Sequence, residues 1–426
     1  MIADKLGAQK IVIVGQGYVG LPLAQAATKA GFTVVGLDRS PLVVSDLNEG
    51  RSHIDDIEDA EVAAMLRAGY RASIDPAEQA DANVVVICVP TPLSDTGGPD
   101  LGAVTAASEA CAEHLTPGTL VVLESTTYPG TTEEIVAPLL EKHGLVAGSD
   151  FHVAFSPERV DPGNPDFGIT NTPKVVGGVS PACAAVARTF YSRFIDKVVT
   201  ARGTREAEMA KLLENTYRHV NIALVNEMAV FCQELGVDLW DAIGLASTKP
   251  FGYQAFYPGP GVGGHCIPID PNYLSFKVKT LGYPFRFVEL AQEINNRMPG
   301  YVVSRTAELL NTAGLPLSRA NVLLLGVTYK PDIADRRESP AEPVARKLMA
   351  AGATVSYHDP HVSEWSVDGV EIARCTSLQA ITQADVTVLL TSHREYSSTS
   401  LPEQPGLVLD TRGALRDLPL ASIEPL

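Results

Sequence analysis

A set of three glycines near the N-terminus restricts the fold of this chain more than any other feature. The glycines follow an apolar run of β-branched residues, 11–14, and precede a helical stretch that ends near residue 30. In this setting the first glycine permits a tight turn, the second lets a pyrophosphate approach the backbone, and the third lets the helix pack on the strand. The helix N-terminus then faces the phosphates. The sequence therefore predicts a dinucleotide-binding Rossmann domain, with five cofactor contacts in this turn: Gly15, Gly17, Tyr18, Val19 and Gly20.

An acidic residue ends the second predicted strand, 32–37, and indicates which dinucleotide binds. Asp38 lies eighteen residues beyond the last of the three glycines. A carboxylate there accepts hydrogen bonds from the adenine ribose and repels a 2′-phosphate, so NAD is favoured over NADP. Arg39 leaves the alternative open, because an arginine at this point can accommodate the 2′-phosphate.

Polar residues follow three more predicted strands of the same sheet. Pro90 and Thr91 follow strand 82–89, Ser125 and Thr126 follow strand 120–123, and Glu158 follows strand 151–155. Ligands of parallel sheets bind beyond the carboxyl ends of the strands. These three strand ends are therefore predicted to form the site, with Pro90, Thr91, Ser125 and Thr126 as cofactor contacts.

The rest of the chain predicts a helical middle and a second sheet domain. Residues 204–235 lack proline and glycine and carry an apolar stripe at helical spacing, which is long enough to serve a dimer. Residues 321–390 repeat the opening pattern without the three-glycine turn, so this domain should not bind a dinucleotide in the same manner. The predicted fold is α/β, with two Rossmann-like doubly wound parallel-sheet domains, 1–200 and 313–426, joined by a central helical domain, 201–312.

Composition excludes several classes of function. The net charge of −17 argues against a nucleic-acid-binding surface. No apolar run is long enough to span a membrane, and we see no secretion signal. The six cysteines have neither disulfide-framework nor metal-ligand spacing, so we expect a reduced, cytoplasmic protein without a metal.

A glycine-rich loop at 257–270 carries the strongest candidate for a nucleophile. Four glycines within six residues precede Cys266, and Asp270 follows. The other cysteines lie in apolar segments, where cysteine is usually an inert buried residue. The loop position instead favours a thiolate that traps an aldehyde as a hemithioacetal, from which hydride loss gives a thioester that water hydrolyses.

Two charged segments have both a functional and a structural interpretation. Lys211 and Asn215 are four apart on the long predicted helix and share a face, where they could stabilise an alkoxide or act on its proton. The alternative is a solvated helix surface. Residues 329–340 contain Lys330 and Arg337 and could bind a nucleotide pyrophosphate, or form a charged surface loop.

Taken together, these segments resemble the UDP-glucose/GDP-mannose dehydrogenase family along nearly the whole chain. The matching strings appear in family order: VPTP at 89–92, ESTTYPG at 124–130, FSPER at 155–159, AEMAKLLEN at 207–215, GVGGHC at 261–266, and YKPDIADRRESP at 329–340. The resemblance implies an NAD domain, a helical dimerising middle, and a C-terminal domain that binds the nucleotide sugar. It also implies two hydride transfers to two NAD molecules at one site.

Residue roles follow from the same resemblance. Cys266 looks like the nucleophile, and Lys211, Asn215 and Asp270 look like the groups that handle the C6 oxygen and the hydrolytic water. Glu158 and Thr126 look like the remaining acid-base and water-holding positions. Arg337 resembles a contact near the cofactor. The substrate contacts implied are Glu158, Arg159, Val160, Lys211, Asn215, Tyr257, Gly261, Gly263 and Lys330.

The sequence of the glycine-rich loop indicates which sugar the protein acts on. Typical UDP-glucose members of the family read GFGGSCFPKD, whereas this chain has His265 and Ile269 in place of the serine and the basic residue. Aromatic residues between 251 and 257 could hold an acetamido methyl group. The loop looks most like the branch that acts on UDP-N-acetylhexosamines, especially UDP-N-acetylglucosamine; UDP-glucose or dTDP-glucose is the alternative.

Two other functions compete with this one. A β-hydroxyacid dehydrogenase of the 6-phosphogluconate type would also have a Rossmann domain, a helical domain and a reactive lysine. It would need neither Cys266 nor the second Rossmann-like domain. A non-catalytic protein that senses NAD or nucleotide sugars is the other alternative, but it would not need Cys266, Lys211 and Asp270 together.

Overall fold

The computed structural model describes residues 9–94, 98–161, 164, 166–264, 267–396, 401–402, 405–416, 418 and 422–426. The chain divides into two compact units. The first consists of Met1–Glu214 with Asn272–Tyr283, and the second of Asn215–Pro271 with Pro284–Leu426. The domain boundaries predicted at residues 200 and 312 remain a prediction.

The first unit contains an eight-stranded sheet in the order β3-β2-β1-β4-β5-β6-β7-β8. All neighbouring strands are parallel except β6 and β7, which run antiparallel. The strands are Lys10–Val14 (β1), Thr33–Leu37 (β2), Arg71–Ser73 (β3), Val84–Ile87 (β4), Leu120–Leu123 (β5), His152–Phe155 (β6), Lys174–Gly178 (β7) and Val198–Thr200 (β8).

Helices cover both faces of this sheet. The alternation of side chains along β1 explains why: Ile11 and Ile13 enter one apolar cluster and Val12 enters the other. Strands buried on both faces need continuous apolar runs, which is the pattern that predicted them. The α-helices described in this part of the chain are Gly20–Lys29 (α1), Pro41–Asn48 (α2), Asp59–Arg67 (α3), Gly102–His114 (α4), Ala137–Leu140 (α5) and Pro181–Tyr191 (α6).

Four helices follow in the middle of the chain. The first is the long helix predicted at 204–235, and the boundary between the two units falls inside it. Among the described residues no helix is both long and apolar enough to cross a membrane. The four helices are Thr204–Leu235 (α7), Leu239–Ser247 (α8), Asp270–Lys279 (α9) and Arg286–Thr312 (α10).

The second sheet repeats the topology of the first and confirms the predicted fold class. Its order, β13-β10-β9-β14-β15-β16, is fully parallel. The short hairpin β11–β12 lies apart from it. The elements are Asn321–Leu325 (β9), Ala341–Ala350 (α11), Thr354–His358 (β10), Ser366–Val367 (β11), Val370–Glu371 (β12), Ala373–Arg374 (β13), Val386–Leu389 (β14), Leu407–Asp410 (β15) and Ile423–Pro425 (β16).

Candidate active site

Close packing at the first turn explains two of the three glycines. Gly15 has φ of +91°, and a Cβ there would lie 2.5 Å from the Cys88 carbonyl oxygen. A Cβ on Gly20 would lie 1.8 Å from the Gly15 carbonyl oxygen. The turn therefore tolerates no side chain at either position, as the sequence predicted. This turn and the end of β4 flank the point where the strand order reverses, which is where such sheets bind ligands.

The remaining space in this turn fits NAD. A Cβ on Gly17 would meet nothing within 4 Å, so the backbone is open to an approaching phosphate. Helix α1 starts after Val19 without a side-chain cap, so no side chain of this helix start competes with an anion for the positive end of the helix dipole. Asp38 is oriented by two backbone amides: Oδ2 accepts from Gln16 N at 3.0 Å and Oδ1 from Ser40 N at 2.9 Å. Arg39 is exposed.

The ends of β4 and β5 are joined by side-chain hydrogen bonds. Thr91 Oγ1 donates to the Thr126 carbonyl oxygen at 2.9 Å, and Ser125 Oγ donates to the Val89 carbonyl oxygen at 2.7 Å. The Tyr273 hydroxyl donates to the Thr91 carbonyl oxygen. The structure thus brings together four residues predicted as cofactor contacts: Pro90, Thr91, Ser125 and Thr126.

A buried carboxylate on α7 anchors the loop that carries Thr126. Glu208 accepts hydrogen bonds from Gly130 N at 2.6 Å, Thr132 N at 2.9 Å and Thr132 Oγ1 at 2.7 Å. Burial raises the pKa of Glu208 to about 7 against the effect of these donors. No sequence pattern marked Glu208 for this role, because its partners lie far away in the chain.

The third strand end presents Glu158 and Lys211 together. Glu158 Oε1 accepts from Arg159 N at 2.6 Å and Val160 N at 2.5 Å, which folds the carboxylate back over its own turn. Lys211 Nζ donates to the Glu158 carbonyl oxygen at 2.6 Å. Arg159 Nη2 lies 2.7 Å from Glu214 Oε1 and so ties the same turn to α7.

Lys211 is buried, with 8% of its surface exposed. The alternative interpretation of Lys211 as part of a solvated helix surface is therefore wrong. The ammonium has instead a specific carbonyl partner at the end of β6, which a surface lysine does not need.

Asn215 and Asp270 are a buried polar pair within the second unit. Asn215 Nδ2 donates to Asp270 Oδ2 at 2.6 Å, and both residues are buried. Asp270 is the first residue of α9, directly after the glycine-rich loop. The pair joins two positions that the sequence predicted separately.

The glycines of that loop are required by packing. A Cβ on Gly263 would lie 2.7 Å from both Tyr329 Cβ and the Glu338 carbonyl oxygen, and one on Gly264 would lie 2.7 Å from the Tyr329 ring. Gly261 packs on Pro340. The resemblance implied Gly261 and Gly263 as substrate contacts, which stays a prediction; the structure adds a separate reason for glycine, because the neighbouring turn at 329–340 excludes side chains at Gly263 and Gly264. Cys266 and His265 lie outside the described residues.

A partly buried guanidinium that no sequence motif indicated lies beside the same loop. Arg412 follows β15, its Nε donates to the Leu390 carbonyl oxygen at 2.7 Å, and its Nη1 would be 2.7 Å from a Cβ on Gly259. Burial lowers its pKa to about 10, against the attraction of Asp410, so it is charged at neutral pH. In the sequence, only the position of Arg412 at a strand end could have indicated it.

Tyr257, predicted to contact substrate, is half exposed and stacks on Trp240 with ring centroids 5.3 Å apart.

Lys330 lies in the turn after β9, at the reversal point of the second sheet. Its carbonyl oxygen accepts from Thr328 Oγ1 at 2.9 Å. Arg337 is bound to Asp335, with Nη2 and Oδ2 2.6 Å apart, and its carbonyl oxygen accepts from Gly264 N at 3.1 Å. Both residues thus belong to the turn that packs against the glycine-rich loop.

Asp359 holds in the second sheet the position that Asp38 holds in the first. Its carboxylate accepts from Val327 N at 2.7 Å and His361 N at 2.8 Å. Unlike Asp38 it is buried, and His393 Nε2 lies 3.1 Å from its Oδ2. The carboxylate of Asp359 is thus engaged by neighbouring groups of its own sheet domain, and the absence of dinucleotide binding in this domain stays a prediction.

Asp332, His361 and His393 lie close enough to share a metal ion, a grouping the sequence did not suggest. Other partners already use the ligand atoms of two of them. His393 Nδ1 accepts from Asp332 N at 2.9 Å, and Asp332 Oδ2 accepts from Arg394 Nε at 2.8 Å. The cluster is therefore a hydrogen-bonded support for the turn at 328–332.

Three segments of the chain match the UDP-glucose/GDP-mannose dehydrogenase family. Residues 9–195 match its NAD binding domain, residues 205–297 its central domain, and residues 323–417 its UDP binding domain.

Similar proteins match nearly the whole length of the chain. An NDP-N-acetyl-D-galactosaminuronic acid dehydrogenase of Ralstonia solanacearum is 36% identical over 424 residues, which cover 96% of this chain and 97% of the relative. The structure of a UDP-D-ManNAc dehydrogenase from Pyrococcus horikoshii has a TM-score of 0.88 and 34% identity, over 98% of this chain and 99% of that one. A UDP-glucose dehydrogenase from Pyrobaculum islandicum has a TM-score of 0.85 and 28% identity, over 98% and 97% of the two chains.

Proposed function

The chain belongs to the UDP-glucose/GDP-mannose dehydrogenase family and is an NAD-dependent nucleotide-sugar dehydrogenase, and we propose that it oxidises C6 of a UDP-linked 2-acetamido sugar to a carboxylate. The observation that supports this most directly is the buried hydrogen bond between Asn215 and Asp270 at the end of the glycine-rich loop. Oxidation of an alcohol needs preorganised polar groups at the developing oxyanion. Neither a phosphogluconate-type dehydrogenase nor a sensor of nucleotide sugars accounts for the UDP binding domain together with this pair.

The first oxidation converts the C6 hydroxymethyl group to an aldehyde. Bound NAD supplies a hydride acceptor for each of the two oxidations. In the proposed mechanism the C6 hydroxyl gives its proton to a water molecule while Lys211 and Asn215 stabilise the oxygen, and Asp270 orients the Asn215 amide. A fixed donor at an oxyanion is worth far more than the same donor in water.

The second oxidation proceeds through Cys266. The thiolate adds to the aldehyde carbon to give a thiohemiacetal, and hydride loss from that carbon leaves a thioester. Water then attacks the thioester carbonyl, the C–S bond breaks, and the carboxylate and free thiol result. Glu158 takes the proton of this water, and Thr126 holds it. Burial raises the pKa of Cys88 and raises that of Cys111 to about 12, so neither thiol is an alternative nucleophile.

Three groups of the second unit are proposed to bind the nucleotide. Lys330 and Arg412 supply positive charge for the diphosphate, and the exposed face of Tyr257 supplies an apolar surface. A guanidinium is well matched to phosphate oxygens.

The choice of sugar rests on the glycine-rich loop and on the relatives. The similarity of the fold to a UDP-glucose dehydrogenase means that the fold alone does not select the sugar. Two proteins with higher identity to this chain than that UDP-glucose dehydrogenase are named for acetamido sugars: the Ralstonia relative for N-acetyl-D-galactosaminuronic acid and the Pyrococcus structure for UDP-D-ManNAc. We therefore widen the expected substrate from UDP-N-acetylglucosamine to its 2-acetamido epimers.

The test of this proposal measures how many molecules of NADH form for each molecule of nucleotide sugar consumed. UDP-N-acetylglucosamine, UDP-N-acetylmannosamine, UDP-N-acetylgalactosamine, UDP-glucose and dTDP-glucose are supplied in turn, and the product is identified by mass. We expect two NADH and one uronic acid from a 2-acetamido sugar. One NADH per sugar would contradict the thioester mechanism, and a higher kcat/KM with UDP-glucose would contradict the acetamido assignment.

Replacement of the nucleophile tests the covalent step separately. Cys266→Ser should abolish uronic acid formation or stall the enzyme as an adduct visible in the mass of the intact chain. Cys375→Ser is the matched control and should leave turnover unchanged. Near-normal carboxylate production by Cys266→Ser would exclude the thioester.

We also propose that the protein is a homodimer formed through α7. The buried side of the helix consists mainly of small and polar residues, together with Leu212 and Val225. On the other side large apolar residues are exposed, among them Tyr217, Leu224, Phe231 and Leu235. A stripe of apolar side chains exposed to water favours association with a second copy. Light scattering should give twice the mass of the chain, and Leu224→Glu should reduce it. The residues along this stripe are Tyr217, Val220, Leu224, Met228, Phe231 and Leu235.

A further inference from the structure

A lysine outside all the assigned motifs lies beneath the strand ends of the first unit. Lys174 is the first residue of β7, and only 4% of its side chain is exposed. Its Nζ lies 2.8 Å from Glu124 Oε2 and 3.5 Å from Glu158 Oε2. Burying a lysine is costly unless its charge is paired, so this arrangement needs an explanation.

The reversal of one strand places Lys174 there. β7 runs antiparallel to β6, with Ala154 opposite Gly178 and Phe155 opposite Gly177. The start of β7 therefore lies at the carboxyl end of β6. In a wholly parallel sheet the first residue of a strand would lie at the opposite edge.

Glu124 and Tyr191 hold the lysine from its other side. The Tyr191 hydroxyl donates to Glu124 Oε1, and Lys174 Nζ lies 5.3 Å from the centre of the Tyr191 ring. Both Glu124 and Tyr191 are almost fully buried. Glu158 is the one carboxylate of this group that is partly exposed, with 15% of its side chain accessible.

We propose that Lys174 is a positioning residue for Glu158, and that it fixes both the Glu158 carboxylate and the turn whose carbonyl oxygen receives Lys211. This inference rests on the proposed function, because the acid-base role of Glu158 is part of that proposal. Lys174 acts through Glu158 and Lys211 and need not touch the substrate.

The electrostatics of the cluster agree with this role. Burial would raise the pKa of Glu158, but the ammonium of Lys174, the Val160 N–H and the ammonium of Lys211 outweigh it and lower the pKa. Glu124 behaves in the opposite way, because its own burial raises its pKa despite Lys174. The other titratable neighbours, Cys88 and Tyr191, also have raised pKa values and stay neutral.

The test is a titration of Glu158 in the full-length enzyme without substrate. Infrared difference spectra follow its carboxylate band, which is assigned by its absence in Glu158→Gln. In Lys174→Met the titration should move to higher pH by about 1 to 3 pH units, because the opposing charge is lost. Lys174→Arg, which keeps the charge, should titrate close to the wild type.

Glu124→Gln provides a second variant in case Lys174→Met does not fold. It removes a competing carboxylate, so Glu158 should titrate at the same or a lower pH. An upward shift in Glu124→Gln would overturn the proposal. So would an unchanged titration in Lys174→Met, or equal shifts in the Met and Arg variants.

The pH profile of kcat/KM connects the titration to the reaction. Its acidic limb should move with the infrared titration, and at a pH below the limb kcat/KM should fall about tenfold for each pH unit that the limb moves. A shifted titration with an unmoved limb would overturn the role in the reaction. If the wild type oxidises no nucleotide sugar, the proposed function fails, while the infrared result still decides whether Lys174 controls Glu158.

Discussion

Asn215 and Asp270 are 55 residues apart in the chain, yet Asn215 Nδ2 lies 2.6 Å from Asp270 Oδ2 in a buried environment. The carboxylate can only accept, so the bond fixes which end of the Asn215 side chain is the donor. One amide hydrogen is thus committed to Asp270, and this bond orients the rest of the Asn215 amide.

This bond predicts strongly coupled losses of activity. Asn215→Ala and Asp270→Ala should each lower kcat by about 10²- to 10³-fold, because an oriented donor at the developing oxyanion is lost. The double variant should be no slower than the worse single variant, since the two residues act as one unit. Rates are measured as NADH formation at saturating substrate. Losses that multiply would show that the residues act independently.

Asp38 should control the choice of cofactor. Its carboxylate is oriented by Gln16 N and Ser40 N. Asp38→Ala should raise KM for NAD about tenfold, as expected for the loss of a charge-assisted hydrogen bond, and should raise the NADP/NAD ratio of kcat/KM. Asp46→Ala, which removes a partly exposed carboxylate from α2, is the control. Unchanged kinetics with both cofactors would remove Asp38 from the ribose site.

Arg39 should affect the use of NADP rather than the binding of NAD. It is exposed, and its charge is the feature of this turn that favours a 2′-phosphate. Arg39→Ala should leave KM for NAD nearly unchanged and weaken any residual use of NADP. A loss of NAD binding equal to that of Asp38→Ala would contradict this division of roles.

Lys330 should affect the nucleotide sugar rather than the cofactor. Lys330→Ala should raise KM for the nucleotide sugar about tenfold, because one ammonium–phosphate interaction disappears. KM for NAD should change little. Lys347→Ala, which removes an exposed ammonium from α11 in the same unit, should change neither value. If Lys330→Ala instead raised KM for NAD and left KM for the nucleotide sugar unchanged, the substrate domain would be misassigned.

His219 should make the protein less stable in acid. It is fully buried on α7, and burial lowers its pKa from 6.5 to about 4. The unfolded chain therefore binds a proton more readily than the folded one, and stability present above pH 6.5 is lost as the pH falls towards 4. The loss amounts to about 3 kcal/mol.

Thermal unfolding between pH 4 and pH 8 measures this effect. His219→Phe removes the titration and should flatten the acid side of the curve relative to the wild type. His53→Gln, which removes an exposed histidine, should leave the curve unchanged. If His219→Phe lost stability in acid as steeply as the wild type, the acid sensitivity would belong to another group.

Local patterns in the sequence were enough to predict the first sheet, the long helix and the cofactor turn. The run at 11–14 is apolar because β1 is buried on both faces, and Gly15 and Gly20 are glycines because the adjacent backbone leaves no room for a Cβ. Such requirements act within a few residues. They can therefore be seen in the sequence. The family motifs are also local strings, and they indicated Lys211, Asn215 and Asp270 as candidate site residues.

What no local pattern contains is which distant segments meet. Three contacts join positions far apart in the chain: Lys211 with Glu158, Asn215 with Asp270, and Arg412 with Gly259. Lys174 is the clearest case, because in the sequence it is an ordinary lysine before a short apolar strand. Only the antiparallel course of β7 brings it beneath Glu158, since the direction of a strand decides at which edge of the sheet its first residue lies.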